Sequence, residues 1–302
     1  MSEFLYPVYN PVTKDNLYFK EFTNKQYKNL IKTVLNDDIR SFNTFVDKLL
    51  VELCPGLDIN TLTAYDKLYL LFILRISNVG SQIEFRVERK ENDIIKFTVD
   101  LVPLIDKMDS FDFERNWTLN EDGFEVTVSI PKHFTDEGNV YECVHNCINT
   151  VKFNDKTINL SSYTYEEKED ILSKLPGSIM PKVLSLLKAQ DEKISKEPFV
   201  DIKIQQDVPF DKQLFLSFFN NSFYEMVKLA FQATLKDFYI YEYTLIKKFK
   251  FSYDQINSIT PAELQVYFSV ISEDIQREKE EQEKQEQSNQ YHVPAPNNAP
   301  HV

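Results

Sequence analysis

The apolar positions change period at one place, and the chain is organised around it. From Leu62 to Arg75 the sequence is apolar on nearly every side, and between Leu68 and Leu74 only Tyr69 is neither aliphatic nor Phe. A helix of this kind has to be covered on more than one face. Thr63 with Asp66 three places on makes a capping-box start, the carboxylate lying at the positive end of the helix dipole, so the helix begins near Ala64. Past Arg75 the repeat shortens to two. Ile83, Phe85 and Val87 alternate with Gln82, Glu84, Arg86 and Glu88, and Ile95, Phe97, Val99 and Leu101 alternate again after the polar run Arg89 to Asp93. This predicts a hairpin with one buried face. Gly80 falls where the helix ends and the strand begins, a position that calls for positive φ.

Ahead of this unit lie two short β-prone runs, Phe4 to Tyr9 and Leu17 to Lys20; Pro7 and Pro11 make the first an edge strand or extended arm. Phe22, Tyr27, Leu30, Ile31 and Val34, then Phe42, Phe45, Val46, Leu49, Leu50 and Leu53, recur at helical spacing and predict a helical pair broken at Asp37-Asp38. After the hairpin, Val102 to Asp112 reads as a short helix or loop. Trp117, Phe124, Val126, Val128 and Ile130 predict a second hairpin turning at Asn120 to Gly123 and stopping at Pro131. Residues 132–163 show no readable period, and a domain boundary is expected near residue 160.

From Tyr165 onward the pattern is helical. Ile171, Leu172 and Leu175 lead to a break at Pro176-Gly177, and Pro181 is expected to open the next helix from its first position. Phe199 to Ile204 reads as extended. Residues 210–250 then crowd together Phe215, Phe218, Phe219, Phe223, Tyr224, Phe231, Phe238, Tyr239, Tyr241 and Tyr243. The crowding has two readings: the core of a helical domain, which is preferred, or a protein-binding face carried by Phe218, Phe219, Tyr224, Phe238 and Tyr241. A last helix starts at Thr260, with Pro261 in first position and Glu263 closing a capping box; its stripe of Leu264, Tyr267, Phe268 and Ile271 ends at Ile275. Gln276 to Glu286 can stay helical through Glu/Lys pairing while burying nothing. The expected fold is α+β: residues 1–160 form a domain of helices and antiparallel hairpins, 161–287 a mostly helical domain, and 288–302 a disordered tail.

Composition then excludes function classes. Five glycines against 24 Phe and 16 Tyr leave no Gly-rich phosphate loop. A net charge of −13 opposes binding to a phosphate backbone, so nucleic acid is not an expected partner. The central apolar run is too short to span a bilayer and is flanked by Lys67 and Arg75, so membrane insertion is not expected. Three cysteines make no disulfide framework, and the start of the chain lacks a basic region followed by an apolar core, which fits a reducing cytoplasm.

Three clusters invite chemistry. Cys143, His145 and Cys147 offer soft ligands two and four apart, with His133 as a fourth, but zinc sites usually bring paired C-x-x-C spacings, and ordinary reduced cysteines are the simpler reading. Glu88-Arg89-Lys90 fits the E-x-K half of a metal-dependent nuclease, yet no upstream strand-borne Asp accompanies it, and such charges are common at hairpin tips. Arg75 is either an interface or phosphate contact, or a guanidinium satisfied by local carbonyls or a carboxylate while its stem packs on the helix. No nucleophile arrangement stands out among four histidines, and neither a cofactor nor a catalytic residue is expected.

As a layout, the chain resembles the baseplate hub and hub-assembly proteins of T4-like contractile-tailed bacteriophages. The resemblance rests on a β-arm leading to Tyr18-Phe19-Lys20-Glu21-Phe22-Thr23, two helices, Leu62-Thr63 with Asp66, Leu74-Arg75 followed by Ser77, Val79-Gly80, and a hairpin closing in Val99-Asp100-Leu101. Leu175-Pro176, the aromatic helix, and Ile259-Thr260-Pro261-Ala262-Glu263 before a charged tail extend it across roughly residues 5–280. Many relatives carry a C-x-x-C at the hairpin tip, where this chain has Arg89 to Asp93, so no metal is carried over to that turn. The resemblance implies a morphogenesis protein made in the host cytoplasm, with other baseplate and tail proteins as partners, in a homo- or hetero-oligomer. It is either retained in the virion or acts as a transient hub or tape-measure chaperone. A metal-dependent hydrolase using Glu88, Lys90 or the Cys143 cluster is the competing class.

Overall fold

The computed structural model describes residues 5–10, 13–90, 93–135, 140–154, 156–160, 163–204, 210–231 and 235–290. It opens with the antiparallel hairpin β1 (Leu5–Tyr9) and β2 (Asn16–Lys20), in which Pro7 faces Tyr18. Each strand of a two-stranded ribbon has one unladdered edge, so the missing amide of Pro7 is tolerated. Helix α1 (Asn24–Leu35) starts on a Thr23/Gln26 capping box, and α2 (Ile39–Leu53) on Asp38, whose carboxylate accepts from the amides of Arg40 and Ser41. Asp37 between them takes a φ of 53°, which turns the chain sharply at the expected break. A 3-10 turn, Ile59–Thr61, leads into α3 (Ala64–Asn78).

The Thr63/Asp66 capping box starts α3, and the Ala64 amide donates to the carbonyl of Pro131 at 2.8 Å. Every side chain from Ala64 to Phe72 is buried, so the all-round apolar helix is enclosed as its composition requires. Gly80 takes a φ of +125° and hands the chain to the hairpin β3 (Gln82–Lys90) and β4 (Asp93–Asp100), with Ile83 opposite Val99 and Phe85 opposite Phe97.

Val102 to Asp112 resolves as the helix α4 (Val102–Ser110). The second hairpin is β5 (Asn116–Glu121) and β6 (Phe124–Ser129), turning at Asp122-Gly123 with φ of 47° and 80°, the double positive φ of a tight hairpin turn. The aperiodic stretch after Pro131 contains α5 (Val140–Cys147), β7 (Ile148–Phe153) and β8 (Lys156–Asn159). The last two extend the hairpin into the antiparallel sheet β5-β6-β7-β8. A bulge explains why the alternation was unreadable. Val126 faces Val151 and Val128 faces Ile148, so the buried residues of β7 are three apart instead of two.

The C-terminal half comprises α6 (Tyr165–Leu172), α7 (Ile179–Ser195), the hairpin β9 (Val200–Ile204) and β10 (Phe210–Leu214), α8 (Ser222–Ala230), α9 (Leu235–Phe249), α10 (Tyr253–Ser258) and α11 (Pro261–Gln290). Pro181 does not open α7. The helix begins at Ile179, and Pro181 takes the third position, still within the first turn, whose amides lack intrahelical acceptors. Helix α11 continues three residues into the segment expected to be disordered; residues 291–302 of that segment lie outside the described residues.

One core joins the two halves. Phe42 of α2 packs its ring 4.7 Å from Tyr224 of α8, Tyr65 of α3 lies 6.2 Å from Phe223, and Tyr27 of α1 lies 6.1 Å from Phe231. The expected boundary near residue 160 therefore crosses a continuous hydrophobic cluster running from Val8 to Ile271.

Candidate interaction surface

Helix α3 carries polar side chains that burial would reject unless each found a partner. Asp66 accepts from the Arg115 guanidinium at 2.8 and 2.9 Å while also accepting from the Thr63 amide and hydroxyl. Lys67 pairs with Asp47 of α2 at 2.6 Å, and burial pulls its ammonium below the ordinary lysine range. Arg75 donates to the carbonyls of Ala230 (3.1 Å), Gln82 (3.0 Å) and Gly80, joining the end of α8 to the start of β3. Of the two readings of Arg75, the geometry is that of local carbonyl satisfaction. Asn78 accepts from the Phe22 amide at 2.9 Å and donates to Tyr6 and to the Leu74 carbonyl. Pro176 accepts at its carbonyl from the Ile179 amide, closing the α6–α7 break. Pro261 is the first residue of α11, where Thr260 and Glu263 exchange cap hydrogen bonds at 2.8 and 3.1 Å.

The five aromatic positions offered as an interface separate into core and surface. Phe218, Tyr224 and Phe238 are buried: Phe218 packs against Phe113 and Phe223, the Tyr224 hydroxyl donates to the Val34 carbonyl, and Phe238 packs on Tyr27. Those three form no face while the fold persists. Phe219 is half-buried against the core, and Tyr241 is exposed with its ring 4.0 Å from Phe268.

Other residues make up the exposed apolar surface of this region. Helix α9 turns Phe238, Glu242 and Leu245 inward and leaves Tyr239, Ile240, Tyr243 and Ile246 outside, while α11 leaves Val266, Tyr267 and Val270 exposed. Spacing sorts them, since residues four and seven apart share one side of a helix. The orientation of α9 is held by an ion pair that sequence reading missed: Lys28 of α1 bonds to Glu242, both side chains being almost fully buried, and reaches Tyr253 Oη at 3.3 Å and Asn257 Oδ1 at 3.4 Å. An acid inside the Phe238–Leu245 stripe was the available signal.

Cys143 and Cys147 lie one turn apart on α5 and are both buried. Their thiols donate to the carbonyls of Phe218 and Cys143 at 3.2 and 3.0 Å, and burial holds the Cys147 thiol well above its ordinary pKa, the reverse of what a thiolate ligand needs. His133 stands 3.9 Å from Asp47 and lines a cleft of about 290 Å³ with Asn43, Cys143 and Asn146; burial lowers the pKa of His145. Among the described residues no group of three His, Cys, Asp or Glu side chains is placed to hold a metal ion. The side chains of Glu88 and Lys90 lie outside the described ones, their backbone ending β3.

A family model for the T4 bacteriophage base plate protein matches residues 4–203, two thirds of the chain, from β1 nearly to the end of β9. The chain belongs to that family. It is accordingly a baseplate-related structural protein of a phage, with other baseplate proteins as its class of partner. No curated protein and no solved structure matches the chain significantly. Among the described residues no helix is long and apolar enough to cross a membrane. The part shared with the base plate family contains α3 and its buried anchors, whereas α8 to α11, with the exposed aromatic surface, lie beyond the matched residues.

Proposed function

We propose that this base plate family protein serves the central hub of a contractile tail through protein–protein contact and catalyses no reaction. The observation that carries this reading is the exposed apolar surface of α9 and α11, where Tyr239, Ile240, Tyr243, Ile246, Val266 and Val270 stand in water although a monomer gains by covering them. Aromatic side chains are enriched at the centres of protein interfaces, and tyrosine supplies large contact area with little rotamer entropy to lose. Family membership supplies the context in which the surface is used.

A second reading, a transient hub or tape-measure assembly factor, is supported by α11 beyond Ile275. This part of the helix is solvated on the sides described and suits reversible recruitment. Quantitative mass spectrometry of purified particles distinguishes the two. Peptides at a fixed ratio to other baseplate subunits support a retained hub component, and peptides abundant in infected cells but missing from particles support the assembly factor. Affinity capture from infected cells that returns host proteins in place of tail components would overturn both.

A further inference from the structure

Helix α9 carries its charge inward. Glu242 is buried one turn from Phe238 and from Leu245, while Tyr239, Ile240, Tyr243 and Ile246 stand between 40 % and 61 % exposed. The seam that α9 and α10 make with α1 is polar as a result. Lys28 of α1 is enclosed there with Glu242, Tyr253 Oη and Asn257 Oδ1. Asn24, at the start of α1, is wholly buried, and neither polar atom of its side chain finds a hydrogen-bond partner among the described residues. Docking strips water from all of these groups, and the Asn24 amide gains nothing in exchange.

The apolar anchoring of the same helices is light. Among the described residues α9, α10 and α11 together bury five hydrophobic side chains, Phe238, Leu245, Ile256, Leu264 and Ile271, whereas α3 buries eight within its 15 residues. The three helices also hold to one another: Tyr241 packs 4.0 Å from Phe268, and Phe251 lies 5.3 Å edge-on to Tyr267. Besides the ion pair, they are joined to α1 by the Tyr27–Phe238 ring contact at 5.5 Å and by the Asn24 amide, which donates to the Ile259 carbonyl at 2.7 Å.

We propose that α9, α10 and α11 form one unit that swings off α1 while the rest of the fold stays closed. Opening returns Lys28 and Glu242 to water, hydrates the Asn24 amide and uncovers Tyr27; against this stands the loss of the few apolar contacts just named. Segments that open ahead of global unfolding are those with few buried apolar contacts, and a polar seam between two cohesive parts is the form a separable interface takes. Helix α8 stays with the body, because Phe223 and Tyr224 pack on Tyr65 and Phe42.

Native-state hydrogen exchange of the full chain, read by mass spectrometry along a urea series below the unfolding transition, is the direct measurement. Corrected for intrinsic rates, amides of α9, α10 and α11 as far as Ile271 should exchange together, about a hundredfold or more faster than those of α3 and with a shallower dependence on urea. Two kinds of variant separate opening from global unfolding. Leu71→Ala, or the milder Val46→Ala if the first does not fold, weakens the body in both the closed and the opened form. It should speed α3 exchange about tenfold or more and leave α9 to α11 at the parent rate. Leu245→Ala weakens only the docked arrangement and should speed both sets by the same factor. Exchange of α9 to α11 in step with α3 in the parent, or its acceleration by the body variant, overturns the proposal. The purified chain alone is used, so this result and the particle assay fail independently.

Discussion

The Arg75 guanidinium donates from Nε to the carbonyl oxygen of Ala230 at 3.1 Å, across 155 residues of sequence. Its other nitrogens reach the carbonyls of Gly80 and Gln82, so one buried side chain ties the end of α3 to the turn that follows it and to the last residue of α8. Lysine has the charge but not the planar fork, and would leave buried carbonyls unpaired. Arg75→Lys is expected to destabilise the protein by about 2–4 kcal/mol in urea denaturation. An unchanged midpoint would mean that the three carbonyls find other partners.

The Lys28–Glu242 pair makes a prediction with two signs. Removing either partner strands a charge in the core, so Lys28→Met or Glu242→Leu alone should cost about 3–5 kcal/mol. Replacing both, as Lys28→Met with Glu242→Leu, removes the desolvation penalty together with the attraction and should recover most of the loss. A double variant as unstable as the sum of the singles would show that the ion pair is not the coupling between α1 and α9.

Gly80 tests the helix-to-strand turn. With φ at +125° and no atom within 4 Å of where a Cβ would stand, substitution there is penalised by the backbone and not by crowding. Gly80→Val is expected to cost about 1–3 kcal/mol, and Gly80→Ala a similar amount although it adds far less volume. A thermal midpoint unmoved by either would contradict the strained turn.

His133 predicts a pH dependence. Burial and the neighbouring Lys67, Lys168 and Lys132 lower its imidazole from 6.5 to about 4, against the opposing pull of Asp47. Above pH 6.5 the ring is neutral in both states. As pH falls from 6.5 toward 4 the unfolded chain binds a proton that the folded chain refuses, so stability falls through that window. The side chain is 54 % exposed, so water screens the effect to at most about 1 kcal/mol. Urea midpoints at neutral and mildly acidic pH should drop further for the parent than for His133→Gln. Equal drops would assign the pH response to other groups.

Local signals made most of the fold legible from sequence. Thr63 with Asp66, and Thr260 with Glu263, announce helix starts because a cap is complete within four residues. The alternations of β3, β4, β5 and β6 gave two hairpins for the same reason. What stayed hidden depends on distance or on irregularity. The bulge opposite Ile148 erased the period of β7, and Lys28 finds its counter-ion 214 residues away. The two readings of the aromatic crowding stay open in the sequence because α9 carries aromatics on both sides: Phe238 faces the core while Tyr239 and Tyr243 face solvent, and only tertiary placement separates the two sets.

The shared core also says how this protein can diverge. Tyr27, Phe42 and Tyr65 each lean on a ring contributed from beyond residue 203, so the stretch matched by the family model shares its core with the helices that follow it. Substitution on the outward sides of the closing helices therefore leaves the fold intact, while their inner rings carry the same packing constraint as the core they complete.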